Sequence, residues 1–155
     1  MNHEIVLTPA KYAELQVELE HLLSAERPLI AERIRQAREL GDLSENFDYQ
    51  DAKRQQGFLE GRIANLKSMI EKAHVTEYAG GSDEVGLGSL VTVWDQEFEE
   101  ETNYTIVGAL DADPSQSKIS NTSPIGDALL GKKVGDTVRV HTPGGLQTYE
   151  VREIH

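Results

Sequence analysis

Tyr12, Leu15, Leu19 and Leu22 recur at steps of three and four with polar residues between them, so the chain opens with a helix that has one apolar face. Beyond Leu22 the apolar register moves to Leu23, Ile30, Ile34 and Ala37, around Arg27-Pro28. Thr8-Pro9 marks the start: the hydroxyl can accept from a free N–H, and proline at the first helical position has none to lose. Pro28 predicts a bend in the helix and not its end. A second run is cleaner: Ala52, Gln56, Leu59, Ile63, Leu66, Ile70 and Ala73 alternate by four and three, the a/d seam of a coiled coil. Packing alone accounts for these seam residues. Between the runs, Gly41-Asp42-Leu43-Ser44-Glu45-Asn46 breaks both patterns. Gly41 stops the first helix, and so short a connection forces the two to run antiparallel. At ~1.5 Å per residue, roughly thirty residues per arm predict a rod about 45 Å long with its tip at 41–46.

The helical period is lost at Tyr78-Ala79-Gly80-Gly81-Ser82-Asp83, where glycines gather; this is the expected linker between an N-terminal hairpin, 1–78, and a C-terminal domain, 79–155. After it come short β-branched runs bounded by turn residues: Leu90–Trp94, Tyr104–Val107, Thr137–Val140 and Thr148–Val151. They predict strands of one sheet. Ser123-Pro124, followed by Ile125, Ala128, Leu129, Leu130 and Gly131, carries start and stop signals for one short helix. Pro143-Gly144-Gly145 predicts a turn between the last two strands. The fold class is therefore α+β, a helical hairpin followed by a small sheet-plus-helix domain. Trp94 is expected in the core of that sheet. Asp95, Glu97, Glu99, Glu100 and Glu101 fall in a hairpin loop, where solvation explains them.

Charge narrows the function. The 155-residue chain carries 15 Lys plus Arg against 27 Asp plus Glu, net −12, which opposes tight unaided binding to nucleic acid. Residues 1–78 hold 10 basic and 14 acidic side chains, while 79–155 hold 5 and 13. Without cysteine there is no disulfide framework, thiol catalysis or Cys-ligated zinc. Met1–Val6 lacks the basic and apolar regions of a signal peptide, and no apolar stretch approaches spanning length. A cytoplasmic protein is expected. His3, His21, His74, His141 and His155 form no zinc-ligand spacing, and no phosphate-binding glycine loop or nucleophilic-serine elbow is present. The parts of a free-standing enzyme are missing.

The acidic turn has two readings. Asp42 and Glu45, as Asp-x-x-Glu at a helix start, form a capping box in which each carboxylate takes a free backbone N–H. Alternatively they are two hard oxygen ligands for Mg²⁺ at an exposed apex, useful only where another macromolecule supplies the remaining ligands. Behind the turn, Arg33, Arg35 and Arg38 lie about level with Lys53 and Arg54 on the other arm; they form either a track for a phosphate backbone or helix salt bridges such as Arg35 with Glu39. Leu43 and Phe47, four apart, are expected to pack on each other.

The run GDLSENFDYQDAKRQQGFLEGRI at 41–63, SPIGDALLGKKVGD at 123–136 and TPGG at 142–145 resemble the Gre transcript-cleavage factors of bacterial RNA polymerase, closest to their GreA-like branch. The resemblance covers nearly the whole chain. It implies an antiparallel coiled coil and a C-terminal FKBP-like domain that docks at the polymerase's secondary channel, the coiled coil entering as a monomer. The implied function is to stimulate hydrolysis, by the polymerase, of backtracked RNA near its 3′ end, so that elongation resumes. Asp42 and Glu45 would then be the catalytic pair, sharing the Mg²⁺ of the polymerase active centre, with no cofactor bound by the isolated protein. Ser44 and Leu43 would support the tip, and Arg38 and Lys53 would contact the extruded RNA. Two positions depart from the family: Phe47 stands where a small residue is common, and Asp48 replaces a longer acid. The alternatives are a channel-binding inhibitor, which the intact acidic pair disfavours, and an FKBP-like isomerase or chaperone, which needs an aromatic pocket that Trp94, Tyr104 and Tyr149 are too few to build.

Overall fold

The structure is a computed structural model that describes residues 4–81 and 83–155; the Met1–His3 segment with its histidine, and Ser82 of the expected linker, lie outside the described residues. By its internal contacts the chain divides into two units, Pro9–His74 on one side and Ile5–Thr8 with Val75–His155 on the other. The division falls a few residues before the Tyr78–Asp83 stretch.

The first unit is helical. Helix α1 (Pro9–His21) runs through one π turn (Leu22–Glu26) into α2 (Arg27–Arg38), and α3 (Phe47–Glu71) follows the tip. The backbone stays right-handed helical at both joins, at His21 and Arg27, so the first arm is one continuous helix with a widened turn. Its cause is Pro28. A proline has no N–H for the carbonyl four residues back, and its ring crowds that carbonyl; the π turn relieves this, with Arg27 N–H donating to Leu22 O instead. The Ser24 hydroxyl also donates to Glu20 O at 2.7 Å, a bond that favours bending. The extra residue shifts the apolar stripe by one position, which is the change of register from Leu22 to Leu23.

Leu15, Ile34 and Ala37 from the first arm and Ala52, Ile63 and Leu66 from the second are buried in the seam. Across it, Glu18 pairs with Arg62 (2.8 and 2.9 Å), Arg27 with Glu60 (2.9 and 2.8 Å) and Arg33 with Asp51 (2.8 Å). Numbers rise on one arm as they fall on the other, so the arms are antiparallel. These ion pairs are half exposed and add little stability. The seam does more, since burying one Leu or Ile stabilises by about 1.5–3 kcal/mol.

Strand β1 (Ile5–Leu7) belongs to the second unit, and β2 (Ala73–Val75) straddles the division. Strands β3 (Leu90–Asp95), β4 (Glu100–Val107), β5 (Lys118–Ser120), β6 (Thr137–Thr142) and β7 (Gly145–Ile154) form one sheet in the order β5-β4-β3-β7-β6. All pairs are antiparallel except β4 with β5. Val91, Val93, Ile106, Val138, Val140 and Val151 make a buried core with Leu129 from α4 (Pro124–Leu129). Ser123 caps that helix, its Oγ accepting from Gly126 N–H at 3.1 Å. Every expected strand is present, and β1, β2 and β5 are additional ones.

Two expectations for this sheet are corrected. Along β3 the inward positions are Val91, Val93 and Asp95, so alternation turns Trp94 to the other face. There it is half-buried beneath the Arg152 guanidinium, 4.9 Å from the ring centroid, a cation–π contact and no core residue. Asp95 is only 5% exposed. Its Oδ1 accepts from the N–H groups of Glu97 (2.9 Å) and Phe98 (3.2 Å), so it closes the hairpin turn while its acidic neighbours Glu97, Glu99, Glu100 and Glu101 are exposed.

The stretch expected as linker is fastened at its start. The Tyr78 hydroxyl donates to Asp111 Oδ2 at 2.5 Å and accepts from Gly108 N–H at 2.9 Å, while Gly80 N–H donates to Leu87 O at 2.9 Å. Burial, reinforced by the bond to Asp111, pushes the Tyr78 phenol up to about 12. Beside it Leu7 is buried, with its carbonyl accepting from Thr76 N–H at 2.8 Å. Gly108 comes so close to Val6 O and Tyr78 Oη that a Cβ there would collide with both. We expect Gly108→Ala to lower stability by roughly 1–3 kcal/mol. Gly57→Ala, in α3 with open space around it, should raise it by roughly 0.5–1 kcal/mol. Denaturant unfolding followed by tryptophan fluorescence and by circular dichroism checks both.

Candidate functional site

The first arm ends by tightening. Glu39 N–H donates to Gln36 O at 3.2 Å and Leu40 N–H to Ala37 O at 3.1 Å, short i→i−3 bonds that use up terminal carbonyls. Gly41 then takes φ +134°, a backbone conformation that a side chain strains. Asp42 Oδ1 accepts from both the N–H (3.0 Å) and the hydroxyl (2.9 Å) of Ser44, an Asx turn. Glu45 N–H donates to Asp42 O at 3.3 Å, and Gln50 Nε2 to Ser44 O at 3.0 Å.

The second arm starts at Asn46. In extended conformation, its Oδ1 accepts from Tyr49 N–H at 3.0 Å, as the N-cap of α3. Its Nδ2 donates to Ala37 O at 2.6 Å. One side chain thus caps the second helix and satisfies the end of the first. This overturns the capping box expected of Asp42 and Glu45. The Asp42 oxygen is taken two residues ahead by Ser44, and the true cap lies four residues beyond it. Asn46 was missed although it carries a signal: an asparagine directly before a helical run is among the best N-caps.

Relief from capping leaves the acidic pair available. Asp42 and Glu45 are exposed, and among the described residues no protein donor meets Asp42 Oδ2 or either Glu45 oxygen. The Ser44 amide, and after it the Ser44 hydroxyl, hold the Asp42 carboxyl below the usual range, so it is ionised at neutral pH. Leu43 does not pack on Phe47: they are 42% and 82% exposed. The turn's own hydrogen bonds set the path of the chain, and Phe47, at the first position of α3, faces outward. It lines a shallow depression with Leu40, Asp42, Glu45, Asn46 and Asp48.

The basic residues behind the tip separate into two groups. Arg35 is held by Glu32 (2.6 Å) and Glu39 (2.8 Å), Arg33 by Asp51 and Gln55, and Arg54 by Asp51. Arg38 and Lys53 have no carboxylate partner among the described residues. Arg38 lies over the Tyr49 ring, 5.7 Å from its centroid, and Lys53 Nζ donates to Gln56 Oε1 at 2.9 Å. Both cations are exposed.

Among the described residues, no three acidic, His or Cys side chains come together to hold a metal ion. Asp42 and Glu45 offer at most part of a ligand set, of the hard oxygen type that suits Mg²⁺. No helix is long and apolar enough to cross a membrane.

Residues 5–75 match the family described as "Transcription elongation factor, N-terminal", and residues 80–155 match "Transcription elongation factor, GreA/GreB, C-term". The chain belongs to the GreA/GreB transcription elongation factor family. It is 47% identical over 155 residues to the transcription elongation factor GreA of Thermoanaerobacter pseudethanolicus and to that of Caldanaerobacter subterraneus subsp. tengcongensis, covering 99% of each chain. It is also 47% identical to GreA of Acetivibrio thermocellus, over 99% of this chain and 97% of the relative. Among solved structures, the GreA factor homolog 1 (Gfh1) protein of Thermus thermophilus is 30% identical, with 99% of each chain covered and a TM-score of 0.46. In this GreA/GreB chain, the helical first unit and the sheet-built second unit coincide closely with the two matched regions.

Two outcomes follow from the turn. Asn46→Ala should destabilise the first unit by about 1–2 kcal/mol, seen as faster hydrogen exchange at the Tyr49 amide. Because the Asp42 pKa is lowered by folding, its contribution to the turn is complete above the unfolded value near ~3.9 and lost as pH falls through the lower folded value. An NMR titration of the Ser44 amide should therefore show a midpoint below that reference, absent in Asp42→Asn.

Proposed function

We propose that this chain stimulates transcript cleavage in backtracked RNA polymerase, with the helical hairpin, within 1–78, entering the secondary channel and the second domain, within 79–155, docking at its rim. The observation that carries this reading is the acidic pair at the turn: two carboxylates at the far end of a hairpin, exposed, ionised at Asp42 and not consumed by helix capping. Such a pair has no use in a pocket of its own and suits a site completed by another molecule. The factor is an accessory activator with no active centre of its own, and it works in the cytoplasm alongside the polymerase, as a monomer. The second domain is FKBP-like in this reading but has no isomerase role. Its apolar groove, lined by Ile119, Pro124, Ile125, His141, Thr142 and Pro143 among others, has no Phe, Tyr or Trp in its lining.

In the polymerase, Asp42 and Glu45 would be the oxygen ligands that this chain offers to a weakly held Mg²⁺, and their carboxylates would orient a water for attack on an internal phosphodiester of the extruded RNA. The ion, when bound, supplies acidification of that water and stabilisation of charge on the phosphoryl oxygens. The water oxygen bonds to phosphorus as the bond from phosphorus to the 3′ oxygen breaks. This leaves a 3′-hydroxyl on the upstream RNA, which elongation needs, and a 5′-phosphate on the released fragment. Ser44 holds Asp42 through Oδ1 and so keeps Oδ2 outward. Leu43 completes the turn between the two acids. Arg38 and Lys53, free of carboxylate partners, take the phosphates of the RNA behind the tip. A GreA-like factor would release short fragments.

The test is a stalled, backtracked elongation complex incubated with the protein and Mg²⁺, with 3′ RNA fragments followed in time. Wild-type protein should release fragments. Asp42→Ala and Glu45→Ala should each slow release at least about a hundredfold, the scale of removing one group from a preorganised site, yet compete undiminished for the channel. Arg38→Ala with Lys53→Ala should raise the concentration needed and make cleavage less sensitive to salt. Normal cleavage by the Asp42 and Glu45 variants would overturn the reading, and binding by the wild type without any cleavage would point to an inhibitor.

A further inference from the structure

Phe47 is the feature that the reaction as described does not use. At 82% exposure it is the most exposed large apolar side chain among the described residues, and it shares one depression with Asp42 and Glu45. Nothing in the fold requires a phenyl ring there. Capping by Asn46 and the register of α3 are set by backbone and seam, and the ring meets neither. Small apolar groups or polar residues would serve solubility better.

We propose that Phe47 is a stacking platform for one unpaired RNA base beside the bond being cleaved, and so a positioning residue for the reaction. This rests on the cleavage reading above. The surroundings select the occupant. The rim of the depression is acidic, with Asp42, Glu45 and Asp48, which repels a bare phosphate and leaves a neutral π face as the part of a nucleotide that can lie against the ring. On the adjoining face of α3, Phe47 groups with Gln50, whose Nε2 is held by Ser44 O and whose Oε1 is left to accept from a base edge, and with Asp51 and Arg54, which pair with each other. Cations for the flanking phosphates stand further back, at Arg38 and Lys53. An aromatic ring that takes bases through their π faces is tolerant of sequence, as a factor acting on any transcript must be. A cationic side chain of the polymerase is the competing occupant of an acid-rimmed ring. RNA is favoured because the ring shares its depression with the carboxylates that orient the attacking water.

The experiment compares wild type, Phe47→Ala, Phe47→Trp and Asp42→Ala in single-turnover cleavage of backtracked complexes. The RNA carries either normal nucleotides or one abasic nucleotide on either side of the scissile phosphate. Phe47→Ala should slow cleavage about five- to a hundredfold, the range of one base stacked on an aromatic, and Phe47→Trp should retain wild-type rate. An abasic nucleotide at one of the two positions should slow wild type to the level of Phe47→Ala and leave that variant unchanged. Helicity and competition for polymerase without extruded RNA should not alter, since the ring is exposed. If Phe47→Ala cleaves like wild type while Asp42→Ala does not, the platform is refuted and the cleavage reading stands. Equal slowing on normal and abasic RNA, with weaker competition for RNA-free polymerase, would assign the ring to a protein contact and also refute it. If wild type releases no fragment, both fall together.

Discussion

Asn46 closes the helical hairpin from both sides, accepting from Tyr49 N–H at 3.0 Å and donating to Ala37 O at 2.6 Å. Helix ends leave backbone groups without partners, and a tight connection between two of them doubles that problem in a few residues. A single amide solves it because it carries a donor and an acceptor on two separate atoms. Aspartate here would cap α3 and leave the Ala37 carbonyl facing a negative charge. The consequence reaches the acids: with capping assigned to Asn46, neither Asp42 nor Glu45 is needed to hold the turn through a helix N–H.

The charges are arranged with the same economy. Three of the five cations behind the tip are tied to carboxylates, and the ion pairs Glu18–Arg62 and Arg27–Glu60 join the arms further back. Pairing of this kind on exposed surface adds little stability, but it neutralises cations that would otherwise attract polyanions without selection. What is left unpaired is local. Arg38 and Lys53 stand behind two exposed carboxylates, a polarity along the hairpin that suits the RNA path proposed above. With a net charge of −12 on the whole chain, binding to nucleic acid away from a polymerase is not expected to compete.

Much of this was legible in the residues. The a/d spacing from Ala52 to Ile70 and the stripe from Tyr12 to Ala37 placed the seam, because helical packing repeats at long range and leaves a strong pattern; Ala73, expected as its last position, lies beyond the end of α3 in β2. The strands and the Ser123-Pro124 helix start were equally readable. Strands β1, β2 and β5, three residues each, left no pattern to find. Trp94 was misplaced because bulk and hydrophobicity argue for a core, whereas side alternation along β3, fixed by Val91 and Val93, turns it outward. At the tip the residues were legible but not how they are held: of the two readings of Asp-x-x-Glu the capping box fails, since Ser44 bonds to Asp42 and Asn46 caps in its place. The packing expected of Leu43 and Phe47 failed for the same local reason.

In the proposed reaction the free oxygens of Asp42 and Glu45 would complete a metal site that the polymerase alone holds weakly. Its most direct test is the Mg²⁺ concentration giving half-maximal cleavage in backtracked complexes, measured without the protein, with wild type, and with Asp42→Asn or Glu45→Gln at saturating concentration. Wild type should lower that concentration severalfold or more, and either amide variant should return it toward the value for polymerase alone. An unchanged Mg²⁺ dependence in the presence of wild type, with cleavage nonetheless faster, would contradict the claim and place the effect of the hairpin on the RNA instead of on the metal.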